Sequence, residues 1–102
     1  MHLTVLAVPD CPNAPVLDDR LAAVLDGRTG ISVSHEMITD ENEAARRGMH
    51  GSPTLLIDGV DPFAVPGQPP SMSCRLYRTD DGHASGAPSL DRLRQAVEQA
   101  LG

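Results

Sequence analysis

The sequence has no lysine and no tryptophan, and Phe63 and Tyr77 are its only large aromatic residues. With so few rings, the core has to be aliphatic, drawn from the Leu, Val, Ile, Ala and Met of a chain that is 40% hydrophobic. Because lysine is missing, all 8 basic residues are arginines, against 14 acidic ones, for a net charge of −6. The arginines are scattered, with Arg46-Arg47 the only adjacent pair, so no basic stripe marks a nucleic-acid surface. The acidic balance also disfavours an anionic membrane, and no apolar run approaches the roughly 20 residues that cross a bilayer. The opening Met1-His2-Leu3-Thr4-Val5-Leu6-Ala7-Val8 lacks a basic leader and a cleavage site, and reads as a buried first strand. The expectation is one cytoplasmic domain over residues 1–102. A composition rich in Ala, Asp, Gly, Pro and Arg points to a GC-rich bacterial genome.

Cysteine is scarce as well. Cys11 and Cys74 lie far apart, and no histidine stands at short spacing from either, which argues against a four-ligand zinc site. Neither a metal nor a cofactor is expected. In a reducing compartment two such thiols are more often catalytic, metal-binding or inert than bridged. The stretch Val8-Pro9-Asp10-Cys11-Pro12-Asn13-Ala14-Pro15 reads like a Cys-x-x-Cys site with its second sulfur missing, since Ala14 stands where that cysteine would be.

Periodicity supplies the rest of the outline. After the strand at 2–8, Val16, Leu17, Leu21, Val24 and Leu25 recur at helical spacing as far as Gly27. Ile31, Val33 and His35 alternate with polar residues, predicting a half-buried strand ending near Ile38. Asp40 caps a short helix, with Glu43 as its capping-box partner, running to Gly48. Thr54-Leu55-Leu56-Ile57 is a compact buried strand, and residues 74–79 alternate as an edge strand. Ser89 caps a last helix whose apolar face is Leu90, Leu93, Val97 and Leu101. The order is β-α-β-α-β-β-α.

With that order in hand, Gly51-Ser52-Pro53-Thr54 before a buried strand is similar to the cis-proline segment of the thioredoxin superfamily. Cys11-Pro12, between a first strand and a first helix, resembles that superfamily's other landmark. The wider runs, Gly-Ser-Pro-Thr-Leu-Leu-Ile-Asp-Gly and Ser-Cys-Arg-Leu-Tyr-Arg-Thr, resemble small bacterial thioredoxin-like proteins, some labelled alkylmercury lyase. The resemblance implies an α/β thioredoxin-like fold, a four-stranded mixed sheet with helices on both faces. It also implies a cis Ser52-Pro53 bond facing Cys11, with Ser52 and Pro53 binding substrate beside Pro12 and Asp10.

At Cys11 the start of a helix favours thiolate through its free amides and dipole. Asp10, Asp18 and Asp19 oppose it, and Pro15 removes an early amide donor. The balance is a mildly activated nucleophile. The role of Cys74 depends on residues 59–73. One open loop would leave Cys74 at the end of the sheet away from Cys11, where it is a small packed side chain. A tight hairpin at Asp58-Gly59, with Val60 to Phe63 pairing back, would return the Pro-rich segment toward Cys11, where Cys74 could serve as a resolving thiol. Phe63, Val65 and Met72 in that loop either pack on the core edge or form a surface for a partner protein at 60–73. Asn13 reads as a helix cap, His50 as a solvated turn residue, and His83 as part of a flexible turn at 80–83; His2 and His35 have no partner in view.

Three functions fit. The first is a thiol–disulfide oxidoreductase acting on a protein or small-molecule disulfide, with Cys11 as nucleophile and Cys74 or an external thiol resolving. The second is a non-catalytic thioredoxin-like binding or accessory module. The third is organomercurial or soft-metal handling by the two thiols, with Asp10 as proton donor.

Overall fold

In the computed structural model, which describes residues 1–79 and 81–102, the apolar opening forms β1 (His2–Ala7), the central strand of a three-stranded sheet. Asp80, within the turn read at 80–83, lies outside the described residues. The two-residue period of the strand divides its side chains between the faces. Leu3 and Val5 enter one buried cluster and Leu6 another. β1 pairs in parallel with β2 (Ser32–Met37), with Val5 opposite His35. On its other edge it runs antiparallel to β4 (Thr54–Ile57), with Leu3 opposite Ile57 and Leu6 opposite Thr54.

Helices cover both faces. Against Leu3, Val5, Leu55 and Ile57 pack α1 (Ala14–Leu25), through Leu17, Leu21 and Val24, and α3 (Leu90–Leu101), through Leu93, Ala96 and Val97. The opposite face carries α2 (Glu41–Arg47), whose Ala44 meets Leu6, Ile38, Met49 and Leu56. The expected caps form at both later helices. The Asp40 carboxylate accepts from the Glu43 amide at 2.7 Å, and the Ser89 hydroxyl accepts from the Arg92 amide at 3.1 Å. At Asn13 the position is right but its side chain makes no capping bond. Its amide group lies instead against Gly86, where a β-carbon would collide with it.

The sheet departs from the expected four strands after β4. Asp58 and Gly59 both have positive φ, 48° and 85°, and Ile57 and Val60 exchange main-chain bonds of 2.8 and 3.0 Å across them. This is the tight turn, with the backbone handedness that matches strand twist, but pairing stops at Val60 instead of running on to Phe63. The returning chain then carries Pro62, Pro66, Pro69 and Pro70, which have no amide to donate, so it lays no ladder along β4. Pro53 interrupts the chain between β3 (His50–Ser52) and β4, and the two strands take different partners. β3 pairs in parallel with β5 (Ser71–Cys74), Ser52 opposite Cys74. The strand expected over 74–79 breaks at Arg75-Leu76, and β6 (Tyr77–Arg78) pairs only with β7 (Ala84–Ser85) among the described residues. β2, an edge strand with one neighbour, leaves Val33, His35 and Met37 exposed rather than half-buried. Leu90 and Leu101 likewise lie beyond the buried stretch of α3.

Gly51 permits the β3–β5 approach. At its φ of 110°, a methyl group would sit 2.8 Å from the Arg75 β-carbon and 3.1 Å from the Ser73 carbonyl oxygen. Gly67, at φ 81°, has open space around it. Gly67→Ala should therefore cost only the left-handed backbone penalty, about 1–2 kcal/mol. Gly51→Ala should add crowding of roughly 1–3 kcal/mol to a similar penalty. Urea unfolding of both variants checks this, and equal midpoints would show that β5 does not press on Gly51.

Candidate functional site around Cys11

The turn that follows β1 sets the position of Cys11. Asp10 adopts φ 58°, a left-handed conformation that Asp tolerates better than most residues. The Cys11 amide donates to the Val8 carbonyl at 3.3 Å, and the Cys11 carbonyl accepts from the Ala14 amide at 3.3 Å. The thiol is thus held just ahead of α1. It is also nearly enclosed, with Cys11 only 8% exposed, whereas Asp10 and Pro12 are open to solvent.

The Ser52-Pro53 peptide is cis, and it lies at the same end of the sheet. The Val8 amide donates to the Ser52 hydroxyl at 3.1 Å, which ties the proline loop directly to the Cys11 turn. Cys74, opposite Ser52 in the β3–β5 ladder, is exposed at this end as well. Both cysteines are free thiols. The Cys11 turn and the proline loop are thus joined through Val8 and Ser52, and Cys74 stands beside Ser52 on the side of β5.

Beneath them lies a buried polar cluster that the sequence reading did not assemble. Arg75, 5% exposed, donates to the Asp61 carboxylate at 2.7 Å and to the Phe63 carbonyl at 2.8 Å. The other oxygen of Asp61 accepts from the Phe63 amide at 2.9 Å, closing the loop over the charge. His50 Nδ1 stands 3.0 Å from Asp61, so this histidine is a half-buried member of the cluster rather than a solvated turn residue. The guanidinium also lies over the Tyr77 ring, 4.6 Å from its centroid. Phe63 packs edge-on against Tyr77 with ring centroids 5.5 Å apart, and joins the core cluster of α1 and α3. It is a packing residue and not a lid over the thiol.

Tyr77 links this cluster to the proline loop. Its hydroxyl donates to the Pro53 carbonyl. Burial is the largest cause that holds the phenol protonated far above its ordinary range, against the Arg75 guanidinium, which favours the phenolate. Negative charge on Asp61 and, least of all, on Cys11 adds to the upward push. The alternation of residues 74–77 carried a signal for this arrangement. With Cys74 and Leu76 outward, Arg75 and Tyr77 must point inward, and a buried arginine demands an acidic partner. Asp61 was the nearest acidic residue beyond the hairpin.

Two other histidines are paired with neighbours, and His35 also lines the pocket beside Cys11. His2 bonds the hydroxyls of Ser32 and Ser34 at 2.7 and 2.9 Å, and His35 pairs with Asp18 at 2.8 Å. Among the described residues no group of three or more His, Cys, Asp or Glu converges on a metal position. No described helix is long and apolar enough to cross a membrane.

No protein-family model, curated protein or solved structure matches this chain.

Two outcomes test the cluster. Arg75→Met strands the Asp61 carboxylate in the interior and should lower stability by roughly 3–5 kcal/mol, read from chemical denaturation. Tyr77 is the only tyrosine, so its phenolate absorbance reports one group. Because its pKa is raised in the folded state, the stability it confers is fully present below about pH 10 and is lost as pH rises beyond that. Folded protein at pH 11 should show little phenolate, and Tyr77→Phe should flatten the alkaline fall in stability.

Proposed function

We propose that this chain is a thioredoxin-like thiol–disulfide oxidoreductase, with Cys11 as nucleophile and Cys74 as resolving thiol. The observation that carries the reading is the link between three landmarks. Cys11 follows β1, cis Ser52-Pro53 precedes β4, and Val8 joins the two while Cys74 lies in register with Ser52. The arrangement of β2 parallel and β4 antiparallel to β1, with helices on both faces, is what a thioredoxin-like domain requires of its centre.

The chemistry needs only the two thiols and a disulfide. Cys11 loses its proton to solvent, and the thiolate attacks one sulfur of the substrate disulfide. That bond breaks, the first substrate thiolate leaves and takes up a proton, and a mixed disulfide remains on Cys11. Cys74 thiolate then attacks the Cys11 sulfur and releases the second substrate thiol. The substrate has gained two electrons and the protein holds a Cys11–Cys74 bridge. An external dithiol returns it to the reduced state. Such a bridge brings the two Cα atoms within roughly 7 Å.

A second reading, a non-catalytic binding module, draws on the enclosure of Cys11 and on Ala14 at the place of a second motif cysteine. Reduction of a small disulfide separates the two. Wild-type protein should turn over with an external dithiol, while Cys11→Ser should fall to background. Cys74→Ser should stop at a mixed disulfide on Cys11, visible by mass. Mild oxidation of the wild type should give an intramolecular Cys11–Cys74 link with loss of two hydrogens. Undiminished turnover by Cys11→Ser would remove the oxidoreductase reading.

A further inference from the structure

Two routes lead toward Cys11, and the chain has closed one of them. On the β4 side, the edge of β3 is a row of main-chain groups of the kind that accepts an added strand. That edge is already taken by residues 71–75. The Ser71 amide donates to the Met49 carbonyl at 3.0 Å, and the Arg75 amide donates to the Ser52 carbonyl at 3.1 Å. The occupant is fixed at its C-terminal end, where Arg75 is buried among Asp61, Thr54 and the Phe63 carbonyl. Gly51 has lost its side chain to the contact, since any β-carbon there would strike Arg75. An incoming polypeptide would have to displace a buried ion pair to reach the Ser52 main chain.

On the β2 side of β1 the route is open. There Cys11 lines a cavity of about 220 Å³, together with Val5, Ala7, Val8, Ala14 and Met37. Cys11 is a free cysteine and is 8% exposed as a residue. The walls are mostly aliphatic, with Asp10, an Arg47-paired Glu36 and an Asp18-paired His35 also among the lining residues. The space is open to solvent and is of a size to take a small molecule. Ala14, at the position of the missing motif cysteine, is what leaves room there.

Building on the oxidoreductase reading, we infer that Cys11 serves small, uncharged aliphatic disulfides entering from the β2 side, and that residues 71–75 exclude extended polypeptide disulfides from the β3 edge. The step is thiolate exchange: Cys11 bonds one sulfur of the small disulfide, the other leaves as thiolate and is protonated by solvent, with no net change in oxidation state.

The test uses full-length Cys74→Ser, so that every adduct is on Cys11, and follows mass against time. One probe is bis(2-hydroxyethyl) disulfide. The other is an unstructured cysteine peptide carrying mercaptoethanol as a mixed disulfide, scored by its peptide adduct. The small disulfide should react at least about tenfold faster than the peptide, beyond the intrinsic ratio measured with free cysteine. Ala14→Leu in the same background should slow the small disulfide by about tenfold by filling the cavity, with its far-ultraviolet spectrum unchanged. Equal or faster peptide adducts would overturn the exclusion by residues 71–75. An Ala14→Leu rate equal to that of its parent would overturn entry through the cavity. If neither probe reacts, Cys11 is not a nucleophile, and the oxidoreductase reading fails together with this inference.

Discussion

The buried ion pair of Arg75 and Asp61 is the constraint on which the rest of this arrangement depends. A guanidinium taken out of water is tolerable only when its donors are met, and here they reach a carboxylate, a hydroxyl and a main-chain carbonyl. Meeting them fixes the chain on both sides. Asp61 must turn inward directly after the hairpin, and Arg75 must return to it after the proline-rich excursion. Once Arg75 is seated, residues 71–74 are laid along β3, Tyr77 is brought under the Pro53 carbonyl, and Cys74 stands opposite Ser52. The ion pair thus places the exposed thiol without touching it.

Much of the outline was legible because single residues decided it. Pro9 and Gly27 bracket α1, Asp40 and Gly48 bracket α2, and Ser89 opens α3. The hydrophobic run of β1 and the compact Thr54-Leu55-Leu56-Ile57 have no reading except as buried strands. Asp58-Gly59 offered a tight hairpin as one of two alternatives, and the positive φ of both residues shows that its turn formed. The cis Ser52-Pro53 bond came from a motif, not from periodicity.

What was not legible depended on partners remote in sequence. Alternation over 74–79 shows which side chains turn inward, but not which strand lies alongside, so one edge strand was read where Cys74 ends β5 beside β3 and Tyr77-Arg78 pairs with β7. The segment at 62–70 was read only as Pro-rich, when the missing amides of its prolines also end the pairing of β4. Val33 and His35 looked half-buried because alternation cannot distinguish a central strand from an edge. His50 appeared solvated because its partner, Asp61, stands on the far side of a hairpin.

The two apolar clusters are unequal, and that inequality bears on motion. The α1–α3 side holds eleven buried side chains, the α2 side five. α2 has only seven residues, too short to persist once its contacts loosen. Amide deuterium exchange should therefore report two cooperative units, with the α2 side opening at lower free energy. Met72 of β5 packs on that weaker cluster, whereas Cys11 precedes the helix buried in the stronger one. β5, which carries Cys74, thus leans on both units, through Met72 on the weaker and through Arg75 and the Phe63 carbonyl on the stronger.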